Sequence, residues 1–489
     1  MNNSIISKKD TGLYFFIAFL SFYFIVWGIL PAIIYNSVYL DSAENLALSH
    51  TLSWSYSKHP PLGMFFLHYS QLILKNNELT VFISSALCFT VSFLYLYKIT
   101  RMFLTKKNTI ASILISSLSY YCVLIFVLQY NQNTILLPFW VASIYHFLRA
   151  IEHNKISSWI YLSLVCALGM LAKYEMLLII GVELIYLCYI FKKNYLPKLI
   201  LAATLSTALL SPHFLWLYNH NFYPIQYFLE KSQHASNLFI HIKTFFSALV
   251  LQPLNLLLCF IVLFYLKRQR KYIIQHAALN VSIKNPLVFI SIMPWIIFCI
   301  LSLFIRTHAE WGFPLFTLLI PAFFHAFKIE FKDLSTAFKI VVFMHCIIFL
   351  TFFITLKFGN KVHAMNRPSY QLANIANKFW NQHYPQKKIK YIGGDPMWVY
   401  YLTAYLPSNP AVFMHNSFKQ SPWVNKKDFE KNGALFINKG CQRTPKTLYK
   451  NSKFKIREQM CITVNASNKF QKLAIPYTLY IIPPQTVTG

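Results

Sequence analysis

Long apolar runs constrain this chain more than any other feature. Gly12 to Ile34 is the first, and stretches of about 18 or more apolar residues recur through the first three quarters of the sequence. Backbone placed in lipid must satisfy its own hydrogen bonds, so each run is expected to form a membrane-spanning helix. Only 12% of the residues are charged, roughly half of what soluble domains carry. Spans are expected at about 13–35, 79–98, 109–128, 134–149, 158–172, 175–191, 198–215, 244–266, 286–305, 312–327 and 336–357. The first is too long for a signal-peptide core and lacks a small-residue cleavage site, so it reads as a retained helix.

Charge placement sets the orientation. With the N-terminus in the cytoplasm, the loops on that side hold eighteen lysines and arginines and the opposite loops six, the bias of a positive-inside protein. The formal net charge of +30 could point to nucleic acid, but the basic residues flank spans or lie in the tail. Membrane lipid and anionic lipid substrates explain them better, and no nucleic-acid partner is expected. In this orientation Asp41, Glu44, Lys58, His59, Lys173, Glu175, Arg306, His308 and Glu310 all fall on the non-cytoplasmic face. They come from three separate parts of the chain, and sparse charge gathered on one face is what an active site at the outer leaflet would produce.

Hydropathy drops near Gly359. The chain divides into a membrane domain, 1–357, with a first outer loop at 36–78, and a soluble domain, 358–489, expected outside the cytoplasm. Ile389 to Asp395 reads as a strand entering a turn, Trp398 to Leu406 as a short helix and Ala411 to Met414 as a strand, giving a small α/β or α+β domain. It holds nineteen basic residues against Asp395, Asp428, Glu430 and Glu458. That excess serves either as a solubilising surface or as an affinity for anionic headgroups. Seven of the nine cysteines lie in spans as packing residues. Cys441 and Cys461 lie in the outer domain, where an oxidising compartment favours a bond.

Acidic residues are scarce, 15 in 489, so Asp41 and Glu44 stand out. Three positions apart, they share a helical face, or they form a capping box at a helix start. Lys58-His59-Pro60-Pro61 can open a helix while Lys58 offers a point charge to phosphate. Lys173-Tyr174-Glu175 is either a polar turn or part of a site. Arg306, His308 and Glu310 beside Trp311 could bind a phosphate or stack on a sugar. Glu230 and His234, at i and i+4, permit a metal or phosphate contact but suit solvated helix residues as well. Glu183 lies mid-span and needs a partner. The chain has no glycine-rich phosphate loop, zinc-type cysteine spacing or Asp-x-Asp motif, so direct use of a nucleotide-sugar is poorly supported.

Leu40-Asp-Ser-Ala-Glu-Asn-Leu-Ala47 followed by Trp54-Ser-Tyr-Ser-Lys-His-Pro-Pro-Leu62 resembles the first outer loop of bacterial GT-C glycosyltransferases. These are membrane proteins of the protein mannosyltransferase and lipid A aminoarabinose transferase type. Gly169-Met-Leu-Ala-Lys-Tyr-Glu175, His308-Ala-Glu-Trp-Gly-Phe-Pro314 and the segments Gly394-Asp-Pro396 and Tyr401 to Pro407 are similar too. The resemblance implies a polytopic helical fold with two amphipathic helices in the first outer loop and an inverting transfer of a monosaccharide from a polyprenyl-phosphate donor. It implies Asp41 as general base and leaves the second carboxylate open, since Ser42 stands where many relatives have an acid and Glu44 lies two positions later.

The mechanism expected from it places Lys58, His59, Lys173 and Arg306 at the donor phosphate. Tyr174, Glu175, His308, Glu310 and Trp311 are then expected at the substrates. The acceptor would be lipid A or another anionic glycolipid at the outer face of a bacterial inner membrane. A protein acceptor is the alternative within the class, and a lipid-linked sugar flippase the alternative outside it. No nucleotide or other cofactor is required, while a divalent metal, with Glu230 and His234 as candidate ligands, stays open.

Overall fold

The computed structural model describes residues 11–233, 238–274, 282, 284–358, 363–441, 456–465 and 474–484. The first three quarters form a helical bundle and the tail a small sheet domain with helices. Among the described residues six helices are long and apolar enough to cross a membrane: Gly12–Ile34, Asn77–Thr100, Gln132–His153, Lys193–Asn219, Phe239–Arg268 and Leu334–Phe358. Lys106–Ser116 and Tyr120–Leu128 form a further candidate span, bent by 80°. This is a multi-pass membrane protein.

The expectation of eleven full spans is corrected in four places. Ile156–Ala172, Met176–Tyr189 and Pro286–Leu301 have 17, 14 and 16 residues, so at about 1.5 Å per residue each falls short of a hydrocarbon core of about 30 Å. Residues 312–327 are not one helix, since a 3-10 turn ends at Gly312 and only Leu319–Ala326 is α-helical there. Pro314 withholds a backbone donor, and Gly312 is pressed so close to Gln252 that an added Cβ would lie 2.1 Å from its side chain.

Buried polar groups lock the bundle. Trp27 donates to Nδ1 of His345 at 3.1 Å, while Ser117 meets Nε2 of the same ring at 3.0 Å, tying three apolar segments together. Glu183 is buried beside the Ser143 side chain, but that hydroxyl donates to the Trp140 carbonyl at 2.9 Å and Glu183 Oε1 meets no hydrogen-bond partner among the described residues. Loops expected in the cytoplasm meet at one end. Lys107 donates to the carbonyl of Lys332 at 3.1 Å, and Lys271 pairs with Asp333 at 2.9 Å. Strands β1 (Tyr272–Ile274) and β2 (Ile329–Phe331) pair antiparallel there.

The tail carries a five-stranded mixed sheet of β3 (Tyr391–Gly394), β4 (Ala411–Val412), β5 (Ala434–Lys439), β6 (Glu458–Asn465) and β7 (Ala474–Ile482), in the order β4-β3-β5-β7-β6. β3 runs parallel to β4 and β5, and β7 antiparallel to β5 and β6. Gly394 ends β3 with φ +119, where a Cβ would sit 2.1 Å from the carbonyl oxygen of Ile437, so only glycine fits. Asp395 then caps the Pro396–Tyr405 helix by accepting from the Met397 amide. Cys441 and Cys461 are joined, with Cα atoms 5.3 Å apart.

Candidate active site

The expected first outer loop holds two helices, Leu40–Ser49 and Leu62–Leu74. The first is clamped from both sides. From the bundle, Gln132 donates to the Asn45 side chain at 2.8 Å, and the Asn45 amide donates to the Asp41 carbonyl at 2.7 Å. From the tail, Tyr401 donates to the carbonyl of Val38 at 3.1 Å. The tail is anchored in turn at the head of the Asn77–Thr100 helix. Tyr405 and Tyr370 donate to the two oxygens of Glu78 at 2.8 and 3.0 Å, and Asn77 donates to the Ala404 carbonyl at 2.8 Å.

The capping-box alternative for Asp41 and Glu44 fails. The helix is preceded by Tyr39 and has no side-chain cap, so Asp41 is its second residue and Glu44 its fifth. The two carboxylates share a face without serving the helix end.

Lys58 lies on a braced loop. The Tyr56 amide and the Ser55 hydroxyl both donate to the His59 carbonyl, at 3.0 and 3.3 Å. Pro61 is already in the α region, so the next helix starts at Leu62. This brings Lys58 Nζ to 3.1 Å from Glu44 Oε1 and 5.9 Å from the ring centre of Tyr400, a residue of the tail domain.

Electrostatics differentiate the groups. Burial works against the charge on Glu44, but Lys58 and His59 outweigh it and hold its pKa below the ordinary glutamate value. Lys58 shifts upward for the matching reason: burial opposes its charge and Glu44 prevails. Asp41 goes the other way, up to about 6, through burial first and then repulsion by Glu44 and Glu310. Asn131 and Lys58 offset this in part. The Asp41 side chain is itself exposed, so water weakens the burial contribution and the two neighbouring acids matter correspondingly more. His59 is pushed down to about 4, by burial first; Glu44 favours its protonation, while Lys58, Lys173 and Lys231 oppose it. It is a neutral imidazole near pH 7.

Asp41, Glu44, Lys58 and His59 therefore form one cluster, and Glu310 and Lys173 reach it electrostatically from two other parts of the chain. The remaining sequence candidates sit around it. Lys173 is occupied, donating to Asn133 at 2.6 Å and paired with Glu175. Burial raises the pKa of Glu175 despite that partner. Tyr174 donates to Nε2 of His213, whose Nδ1 faces the Trp54 carbonyl at 2.7 Å, so its hydroxyl braces the loop that carries Lys58. His308 packs on Trp311 with ring centres 5.1 Å apart, and Trp311 on Phe228 at 5.5 Å, beneath the outer Tyr223–Gln233 helix. Arg306 is exposed and acts on His308.

Glu230 is exposed on the outer helix, while His234 lies outside the described residues. Among the described residues no three His, Cys, Asp or Glu side chains gather as a metal ion would need.

Several contributors escape sequence reasoning. Asn131, Gln132 and Asn133 are buried polar residues that touch the helix of Asp41 or Lys173. Their run between two apolar stretches was the signal available. Tyr400 reads as an ordinary core aromatic of a short helix, and Lys231 as one loop charge among several.

Residues 58–216 match the family of dolichyl-phosphate-mannose-protein mannosyltransferases. The structure is similar to the crystal structure of ArnT from Cupriavidus metallidurans in the apo state, at TM-score 0.61 and 12% identity over 96% of this chain and 98% of that one. Its structure bound to undecaprenyl phosphate is similar at TM-score 0.61 and 12% identity, over 97% and 98%. The chain therefore shares the fold of these ArnT structures. Comparison with curated proteins gives no match.

Proposed function

We propose that this protein is an inverting glycosyltransferase. It moves a monosaccharide from a polyprenyl-phosphate donor to a cell-envelope acceptor, a lipid A or other anionic glycolipid, at the outer face of a bacterial inner membrane. The observation that carries the reading is the juxtaposition of an exposed carboxylate of raised pKa, Asp41, with the charged Lys58–Glu44 pair on one helix-and-loop unit. The undecaprenyl phosphate held by the similar protein supports the donor class.

In this mechanism Asp41 takes the proton of an acceptor hydroxyl as its oxygen attacks C1 of the sugar. The bond from C1 to the phosphate oxygen breaks, and the electron pair leaves on polyprenyl phosphate. Lys58 spends one of its three hydrogens on Glu44 and offers the others to the developing phosphate charge. Glu44 aims the lysine, and neutral His59 can donate a hydrogen bond without adding repulsion. The excess of lysine in the tail suits an anionic acceptor.

A protein acceptor is the second reading, favoured by the match to the mannosyltransferase family. A flippase is disfavoured because a transporter places its polar groups near the bilayer midplane, whereas these crowd one end of the bundle. The test is transfer by purified protein from a polyprenyl-phosphate sugar to envelope glycolipid or to envelope protein, read by mass spectrometry. Transfer to protein alone would overturn the glycolipid acceptor, and no transfer to either would overturn the reading itself.

A further inference from the structure

At the end of the bundle opposite Asp41, a cavity of about 550 Å³ opens between the start of the Lys106–Ser116 helix and the end of the Leu319–Ala326 helix. The Asn77–Thr100 helix fixes its place, beginning against the tail domain and ending just before Phe103 and Leu104 in the cavity wall. The wall is firmly built. Asn108 donates to the Ile329 carbonyl at 2.8 Å and accepts from the Phe331 amide at 2.9 Å. Phe331 stacks on Phe324 and Tyr272, with ring centres 5.7 and 5.4 Å away. His325 in the same wall is neutral. Asn285 spends its side-chain oxygen on the Leu287 and Val288 amides, so its NH2 group donates to His325 Nε2 at 2.9 Å.

Charge at this cavity comes from Lys107 and Lys328, with Glu330 as the one acid among its lining residues. Lys107 gives a hydrogen bond to the Lys332 carbonyl at 3.1 Å and keeps two donors. Lys328 follows directly on the helix end at φ +44, a left-handed position where glycine or asparagine is usual. Its ammonium group has no hydrogen-bond or ion-pair partner among the described residues. Lys107 and Lys328 are both exposed at the rim of this cavity, so their charges are open to an anion.

We propose that this cavity binds the phosphodiester headgroup of an anionic phospholipid, with Lys107 and Lys328 on the phosphate oxygens and the acyl chains against Phe103 and Leu104. Inorganic phosphate shares the anion chemistry. Phe103 and Leu104 beside the lysines, and the position at the helix ends of a multi-pass membrane protein, favour the lipid, and the volume lies within the range of about 300–1,000 Å³ usual for small-ligand sites.

Native mass spectrometry of the full chain in mild detergent, titrated with phosphatidylglycerol or phosphatidylcholine, tests this. Lys328→Asn is the informative variant, because asparagine tolerates the left-handed backbone while the charge is lost. Wild type should retain phosphatidylglycerol preferentially. Lys328→Asn and Lys107→Gln should each weaken that retention about fivefold, whereas Lys193→Gln, on a different basic loop, should not. Undiminished retention in Lys328→Asn, or equal retention of phosphatidylcholine, would overturn the proposal. Displacement of the lipid by millimolar inorganic phosphate would also overturn it, giving the cavity to a free anion.

Discussion

Lys58 donates a 3.1 Å hydrogen bond to Glu44, across a loop that brings a residue of the first outer helix against one fourteen positions later. Their side chains are only 23% and 10% exposed, so neither charge is well solvated and each depends on the other. Removing one partner of such a pair leaves a buried charge, at a cost of about 3 kcal/mol. Glu44→Gln and Lys58→Met should each lower the unfolding temperature in detergent. The double variant should be more stable than the sum of the two losses predicts. Strict additivity in that cycle would mean that the two groups are not coupled in solution.

Asp41→Asn separates activity from stability. The raised pKa means that the folded state binds the proton more tightly than the unfolded chain, so stability falls as pH rises from about 4 to about 6. At pH 7 the charged carboxylate is a burden on the fold, and the amide removes it. The variant should unfold at the same or a higher temperature while transfer drops on the order of 10²-fold or more. Full activity in Asp41→Asn would remove Asp41 as the base.

Glu310 gives the pH dependence a handle. A base with a pKa of about 6 should give kcat/KM an acid limb near pH 6, rising as Asp41 ionises. Glu310 is one of the two acids that raise that pKa, so Glu310→Gln eases ionisation. The limb should move to lower pH in pH–rate profiles of the purified variant. An unmoved limb, or one moved upward, would detach Glu310 from Asp41.

Much of this was legible in the sequence, unevenly. The apolar runs revealed the bundle because lipid imposes length and composition on every helix that crosses it. They overcounted full spans because a 14-residue helix such as Met176–Tyr189 is as apolar as a 24-residue one. The strand running into the Gly-Gly-Asp-Pro turn, the short helix after it and the strand at Ala411 were readable, although the helix begins at Pro396 rather than Trp398. In the site, scarcity of acids exposed Asp41, Glu44 and Glu310. Tyr400 stayed hidden, since only the docking of the tail on the first outer helix gives an aromatic residue so far along the chain anything to do there. The occupation of Lys173 by Glu175 and Asn133 was likewise invisible, because hydrogen-bond partners are a property of the fold.

That docking can be tested at Glu78. Its two oxygens accept from Tyr405 and Tyr370, and it is only 3% exposed. Glu78→Ala strands the buried Tyr405 hydroxyl, at a cost of about 1–3 kcal/mol, while the Tyr370 hydroxyl, on a residue 43% exposed, turns to water. Tyr405→Phe strands the partner instead, leaving a buried carboxylate oxygen without its donor, at a cost of about 1–3 kcal/mol or more. Limited proteolysis should therefore cut the tail faster in both variants than in wild type. Transfer should fall in both, since the helix that carries Tyr405 also sets Tyr400 against Lys58. A tail as protected in Glu78→Ala as in wild type would show that this carboxylate is not the anchor, and that the Asn77 and Val38 contacts hold the domain without it.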